Sequence, residues 1–137
     1  MKALITGGRG GLGQAFAAAL GDTAITLLDL PEFDVGSSEA WRALEGEFDA
    51  AFLNAGVVTG ESEIGALRDE QYRRAVGANL DGVVFGTREL AARLMPNGGS
   101  IVATASLAGL TAVPMDPVYA GWRRARRGCR WGSRCAR

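Results

Sequence analysis

The chain has 137 residues, of which 47% are hydrophobic and 22% are charged, and these values predict a single globular domain with a modest core. It contains no run of about 18 apolar residues and opens with no charged-then-apolar leader, so we expect no membrane span and a cytoplasmic location.

The formal net charge is zero, but the two signs are divided along the sequence. Residues 1–117 carry eight Lys or Arg and all fifteen Asp or Glu, whereas residues 118–137 carry seven Arg and no acid. Both cysteines and two of the three tryptophans also follow residue 121. We therefore predict one domain over residues 1–121 and an atypical Arg-rich tail over residues 122–137.

The first predicted strand, residues 2–6, runs directly into a glycine-rich loop and then a helix over residues 11–20. The loop reads Thr-Gly-Gly-Arg-Gly-Gly-Leu-Gly over residues 6–13, which contains both a GxGxxG and a GxxxGxG spacing. Glycines let a pyrophosphate approach the backbone, and the first N–H groups of the helix face its negative charge. The loop thus indicates a nucleotide cofactor, and the alternative is a flexible turn between a strand and a helix.

A second strand over residues 24–29 ends at Asp29, sixteen positions after Gly13. An acidic side chain at this point can accept hydrogen bonds from the adenosine ribose and repels a 2′-phosphate, which favours NAD over NADP. Two alternatives stay open. In the first, Asp29 is only a solvated carboxylate at a strand end and contacts no cofactor. In the second, Arg9 in the glycine loop places a cation near the 2′-phosphate, which would favour NADP.

The segment after Asp29 is short for a doubly wound fold, and we expect a turn where a full helix normally stands. A helix follows, with Ser37 or Ser38 as its cap and Trp41 packed in the core. A strand over residues 48–53 then ends at Asn54.

A long helix over residues 68–94 and a buried strand over residues 100–105 complete the pattern. The helix contains three glycines, Gly77, Gly82 and Gly86, and each costs about 1 kcal/mol of helix stability relative to alanine. We expect close packing of the helix on the sheet to offset this cost. The alternation of strands and helices predicts an α/β fold, a Rossmann-like doubly wound parallel sheet. Ligands bind beyond the carboxyl ends of such strands, where the chain places Gly7, Asp29, Asn54 and Ser106.

Together these residues resemble the short-chain dehydrogenase/reductase family, whose members move hydride between a nicotinamide cofactor and an alcohol or carbonyl compound. The resemblance covers residues 2–121 and rests on the glycine loop, on Asp34-Val35, on Asn54-Ala55-Gly56, on Asn79, and on Ser106 thirteen residues before Tyr119. It implies that the cofactor contacts Gly7, Arg9, Gly11, Leu12, Gly13, Asp29, Asp34, Val35, Asn54, Ala55 and Gly56.

The resemblance also implies the catalytic residues. Ser106 hydrogen-bonds the substrate oxygen, Tyr119 is the general acid or base, and Asn79 holds a water in the proton relay. A tyrosine needs a nearby cation to act as a base near neutral pH. The family supplies a lysine four residues after the tyrosine, whereas this chain has Arg123, which keeps the charge but not the compact ammonium. For Ser106 the local alternative is a strand-end serine that bonds only its own backbone.

The tail departs from the family, which continues with a helix and further strands. Arg, Gly, Ala, Trp and Cys are the residues that GC-rich codons yield out of register, so we hypothesise that a frameshift replaced residues 122–137 and that the C-terminal part of the fold is missing. Nucleic-acid binding through the arginines and tryptophans is the less favoured alternative. Cys129 and Cys135 cannot complete a zinc site within a chain that has no histidine, so we predict no metal site.

Two functions follow from this sequence. The first is an NAD-preferring oxidoreductase that acts on a small alcohol or ketone and forms a homo-oligomer when intact. The second is a truncated dinucleotide-binding module that turns nothing over.

Overall fold

The computed structural model describes residues 1–111 and 115–125, and for residues 122–125 it describes the backbone alone. Within these residues four parallel strands form one sheet in the order β2-β1-β3-β4. They are β1 (Lys2–Thr6), β2 (Ala24–Leu28), β3 (Ala50–Leu53) and β4 (Ser100–Ala103). The order reverses between β1 and β3, which is where an open parallel sheet forms its ligand crevice. The predicted α/β fold is confirmed.

Five α-helices connect or follow these strands in the described part of the chain. They are α1 (Gly11–Ala19), α2 (Ser38–Ala43), α3 (Asp69–Val76), α4 (Gly82–Glu89) and α5 (Pro117–Ala125). Short 3₁₀ turns lie at Ile64–Ala66 and Leu107–Gly109. None of the described helices combines the length and apolarity needed to cross a bilayer.

Helices pack on both faces of the sheet because successive residues of a strand point to opposite sides. Ala51 and Leu53 of β3 face the main core, where they join Leu4 and Trp41. Phe52 points the other way and stacks on Phe16 of α1, with 5.3 Å between ring centroids. Each face of the central strands is thus buried by a helix.

Trp41 anchors the main core, as predicted. Its side chain is fully buried, and its ring meets that of Phe33 edge to face at 5.1 Å. The indole N–H donates to the carbonyl of Val35 at 2.9 Å, so the one polar atom of this side chain is satisfied. Ser37, the cap that the sequence offered alongside Ser38, accepts from the Ala40 N–H at 3.1 Å.

The long helix predicted over residues 68–94 is present but is not uniform. Between α3 and α4 lies a π-helical turn, Gly77–Asp81, and a second one, Leu90–Leu94, follows α4. Gly86 permits the predicted approach of the helix to the sheet, since a Cβ there would lie 3.0 Å from Leu53 Cδ2 of β3, whereas Gly82 packs against a loop residue. A Cβ on Gly82 would lie 2.9 Å from Val35 Cγ2, and one on Gly86 would lie 2.8 Å from the Trp41 ring.

An arginine joins this helix to α2. The Arg93 guanidinium pairs with Glu89 at 2.9 Å and donates to the carbonyls of Trp41, Arg42 and Leu44 at the end of α2. The bonds to Arg42 and Leu44 satisfy carbonyls at the helix end, whereas the Trp41 carbonyl also accepts from the Leu44 N–H. Hydrogen bonds from Arg93 and Arg88 hold the pKa of Glu89 below its ordinary value, although burial opposes them.

The remaining differences from the sequence prediction are short. Residues 29–37 form the predicted turn, without a helix or strand. β3 and β4 are each two residues shorter than predicted, at the start of β3 and at the end of β4. The predictions for residues 126–137, with Cys129 and Cys135, and for the side chain of Arg123 lie outside the described residues.

Candidate cofactor and active site

A cleft of about 1180 Å³ opens at the carboxyl ends of the strands. The residues that line it include eleven of the fifteen predicted site residues: Gly7, Gly11, Leu12, Asp29, Asp34, Val35, Asn54, Ala55, Gly56, Ser106 and Tyr119. The fold therefore brings most of the predicted cofactor residues into one space with the predicted Ser–Tyr pair.

The glycine loop is shaped by contacts that exclude side chains. Gly7 has φ +65°, and a Cβ there would lie 2.9 Å from the Ala55 Cα. A Cβ on Gly13 would overlap the Gly7 carbonyl oxygen and lie 2.9 Å from the Gly8 Cα. Gly13 does not line the cleft; it lets α1 pack against the loop that does.

The loop also fits a diphosphate. A Cβ on Gly11 would meet nothing within 4 Å, so the cleft has open space directly beside the start of α1. No side chain caps the first turn of α1, and that turn holds no acidic residue. Backbone N–H groups at the start of a helix bind anions through their partial positive charge.

Asp29 stands at the end of β2 beside the loop. Its carboxylate accepts from the Arg9 N–H at 2.8 Å and from the Leu30 N–H at 2.9 Å. The Arg9 side chain turns away from the lining of the cleft, donates to the Leu30 carbonyl and pairs with Glu32 at 2.8 Å. The hydrogen bond to Arg9 holds the pKa of Glu32 below its ordinary value. The one cation in the glycine loop is therefore already paired with a carboxylate.

Asp34 and Val35 line the neighbouring wall. The Asp34 carboxylate accepts from the Gly36 N–H at 2.8 Å, which closes a tight turn. Gly36 in turn packs against the π turn, where a Cβ would lie 3.1 Å from the Gly77 Cα. Asp81, one turn further along the helix, also lines the cleft, and burial raises the pKa of its carboxyl.

Two threonine hydroxyls hold the floor of the cleft. Thr6 Oγ1 accepts from the N–H groups of Asn54 and Ala55, both at 3.0 Å. Thr104 Oγ1 donates to Asn54 Oδ1 at 3.1 Å. Asn54 is thereby fixed between the ends of β1 and β4, as expected of a residue at the switch point.

Asn79 lies beneath the cleft surface rather than on it. It is 1% exposed, in the middle of the Gly77–Asp81 π turn. Its Oδ1 accepts from the Val57 N–H at 3.1 Å, and its Nδ2 donates to the Val57 carbonyl at 2.6 Å. The side chain therefore fixes the loop that follows Gly56.

Ser106 and Tyr119 both line the cleft. Ser106 Oγ accepts from the Ala108 N–H at 3.2 Å, so the local bond of the alternative interpretation is present. That bond uses the oxygen as an acceptor and leaves the hydroxyl proton for a partner in the cleft. Tyr119 stands in the first turn of α5, and the carboxylate of Asp116 caps this helix by accepting from the Tyr119 N–H at 2.9 Å.

The sequence analysis assigned no site role to Thr6, Thr104 or Asp116. It also gave none to Arg73 and Arg74, which line the cleft from α3. The partners of Thr6 lie 48 and 49 positions away, and the farthest partner of Asp116 lies 57 positions away. No local pattern signals such bonds. Only the position of Thr6 at the end of a strand hinted at a site role.

Comparison with known proteins identifies the family of this chain, and the match extends beyond residue 121. A family model described as enoyl-(acyl carrier protein) reductase matches residues 13–129. The chain belongs to the short-chain dehydrogenase/reductase family. It is 31% identical over 99 residues to a 3beta-hydroxysteroid dehydrogenase of Mediterraneibacter gnavus, a match that covers 67% of this chain and 36% of that protein.

Two further relatives give the same result. An NADP-dependent (R)-specific alcohol dehydrogenase of Lentilactobacillus kefiri is 30% identical over 86% of this chain and 49% of its own length. The structure of a family member from Burkholderia phymatum in complex with NAD is 26% identical, with a TM-score of 0.79 over 93% of this chain and 56% of that one. The chain thus spans about a third to a half of these curated relatives.

Proposed function

We propose that residues 1–121 bind NAD in the cleft, and that the protein transfers hydride between this cofactor and a small alcohol or ketone. The proposal rests on one observation: the glycine loop, Asp29 and Asn54 line the same cleft as Ser106 and Tyr119. A nicotinamide, once bound, supplies or accepts the hydride. The residues of this chain bind the cofactor, orient the substrate and transfer the proton.

The preference for NAD over NADP comes from the charge around Asp29. Its carboxylate would accept the ribose hydroxyls and repel a 2′-phosphate. Arg9, the cation that could offset this repulsion, is engaged by Glu32 at 2.8 Å. We propose that the loop contacts the pyrophosphate at Gly11 and Leu12, with Gly7 and Gly13 shaping it, and that Asp34 and Val35 contact the adenine.

The catalytic roles divide between two hydroxyls and their supports. Ser106 donates its free proton to the substrate oxygen, and Tyr119 exchanges a proton with the same oxygen as the hydride moves. Arg123, four residues after Tyr119 in the sequence, takes the place of the family's lysine as the source of positive charge. Asn79 holds the loop at Val57 and, through a water, continues the proton path.

The second candidate is a module that binds the dinucleotide without turnover. Arginine at position 123 in place of the family's lysine favours it, because a guanidinium cannot reproduce the contacts of a compact ammonium.

The deciding experiment is a titration of the 137-residue chain with NADH, followed by cofactor fluorescence, and an assay of NADH oxidation with a panel of ketones. We expect saturable binding that is weaker for NADPH. Oxidation that Ser106→Ala and Tyr119→Phe each abolish supports the enzyme. Binding without oxidation supports the module, and rescue by Arg123→Lys would locate the defect. A folded chain without saturable binding contradicts both.

A further inference from the structure

The carboxylate of Asp116 is buried and is bonded on both oxygens. The residue is 5% exposed, and Oδ1 accepts from the Tyr119 N–H at 2.9 Å. Oδ2 accepts from the Thr59 N–H at 2.6 Å and from the Gly60 N–H at 3.4 Å. Capping α5 requires only one of these oxygens, so the second must be explained by something other than helix formation.

The second oxygen reaches a loop 57 positions earlier in the chain. A buried carboxylate is tolerated only where hydrogen bonds replace its hydration, and here backbone N–H groups do so. Burial raises the pKa of Asp116, but the N–H donors of Tyr119, Thr59 and Gly60 and the Thr59 hydroxyl outweigh burial and bring it below the ordinary value. The side chain is therefore ionised at neutral pH, when its bonds to the loop are strongest.

The loop that Asp116 holds is also fixed from other sides. Asn79 bonds both backbone groups of Val57, two residues before Thr59. Gln71 of α3 donates to the Thr59 carbonyl at 3.3 Å, and Thr59 is itself 2% exposed. Residues 57–60 are thus a fixed platform, and Asp116 ties the first turn of α5 to it.

We propose that Asp116 is a positioning residue that holds the Tyr119 side chain in the cofactor cleft by joining α5 to the platform at residues 57–60. Tyr119 lies one turn after Asp116, so a change in the angle or depth of the first turn moves its hydroxyl directly. The platform also carries Asn79's contacts, which gives the two predicted proton-relay residues a common support. This inference rests on the proposed function.

The test uses the two-tyrosine composition of the chain. Tyr72→Phe leaves Tyr119 as the single tyrosine, so its ring signal in a ¹³C-tyrosine NMR spectrum can be followed during an NADH titration. In this background Asp116→Ser retains a capping oxygen but loses the second acceptor, and Asp116→Asn retains the shape but loses the charge. Asp49→Ser and Asp49→Asn are the matched controls, since Asp49 accepts from the Lys2 N–H at 2.7 Å at the opposite end of the strands.

We expect the parent and both Asp49 variants to show the same NADH-induced shift of the Tyr119 signal. Asp116→Ser should bind NADH with a Kd within threefold of the parent while the shift falls below a quarter of its parental size. Asp116→Asn should give an intermediate shift. Exchange of the Thr59 amide hydrogen should become at least tenfold faster in Asp116→Ser.

An unchanged Tyr119 shift in Asp116→Ser overturns the proposal. So does a folded Asp116→Ser variant that no longer binds NADH, because the residue would then support the whole cleft. If Asp116→Ser does not fold by circular dichroism, Asp116→Asn decides, and a parental shift there overturns the proposal. A parent chain that binds no NADH contradicts the proposed function instead, and Thr59 amide exchange still decides whether Asp116 ties the loop to α5.

Discussion

The two sides of the cleft are built by opposite means. On the glycine-loop side, residues 6–13, the geometry comes from the absence of side chains, since a Cβ at Gly7 or Gly13 would strike the backbone. On the hydroxyl side, which carries Ser106 and Tyr119, it comes from polar side chains that bond distant backbone groups. The first kind of construction fails by overpacking, and the second fails by loss of one hydrogen bond.

The largest effect is expected from Gly13→Ala. Its Cβ would overlap the Gly7 carbonyl and push the loop away from α1, so NADH affinity should fall about 100-fold, or about 3 kcal/mol. Fluorescence titration measures the loss. Gly65→Ala is the control, because its Cβ meets nothing within 4 Å. Equal affinities for the two variants would remove the argument that backbone contact shapes the loop.

This contrast also explains how much the sequence could predict. The glycine loop is local, so eight consecutive residues contain its whole pattern, and the strand and helix around it follow from simple apolar runs. Thr104, Asn79 and Asp116 act through partners 22 to 57 positions away, and such pairings exist only once the sheet has formed. The π turns were missed for another reason: the apolar pattern predicted one continuous helix over residues 68–94, and such a pattern does not distinguish a π turn from an α-helical turn.

The next effect concerns the buried hydrogen bond between the Trp41 indole and the carbonyl of Val35, a residue that lines the cleft. Trp41→Phe should lower the free energy of unfolding by about 2 kcal/mol, because it leaves a gap and removes the donor from the buried Val35 carbonyl. Urea denaturation measures this change. Tyr72→Phe, at a side chain 41% exposed, should change stability by less than about 0.5 kcal/mol. A Trp41→Phe variant as stable as the parent would contradict the role given to the indole.

A smaller effect is expected at Asp29. Asp29→Asn removes the charge that disfavours a 2′-phosphate, so the ratio of NADH to NADPH affinity should fall about tenfold, or about 1.4 kcal/mol. Asp22→Asn, an exposed neighbour outside the cleft, is the control. Glu32→Gln should shift the ratio in the same direction by freeing Arg9 from its partner. An unchanged ratio in both Asp29→Asn and Glu32→Gln would refute the charge argument for NAD.

The smallest effect lies away from both sides, at Glu89. The pKa of Glu89 is lowered in the folded protein, so its ion pairs stabilise the fold above the unfolded-state pKa of about 4.3 and that stabilisation is lost as pH falls through the folded pKa. Urea midpoints of the parent and Glu89→Gln should therefore differ near neutral pH and converge as the pH falls below the lowered pKa of Glu89 in the folded protein. If the difference between the two urea midpoints does not change with pH, the charge of the Glu89 carboxylate does not contribute to the stability of the fold.

The π turn at Gly77–Asp81 has a consequence for how this helix can vary. Such a turn holds one residue more than an α-helical turn, so α3 and α4 are out of phase by about 100°. Rewinding residues 77–81 into a regular α-helix without a deletion would rotate Gly82 and Gly86 by about 100° away from Val35 and Trp41. Deleting one residue of the π turn would instead remove the extra residue and leave both glycines facing the same partners. A one-residue deletion at this turn should therefore be tolerated better than one inside α3 or α4, where it would rotate every residue that follows.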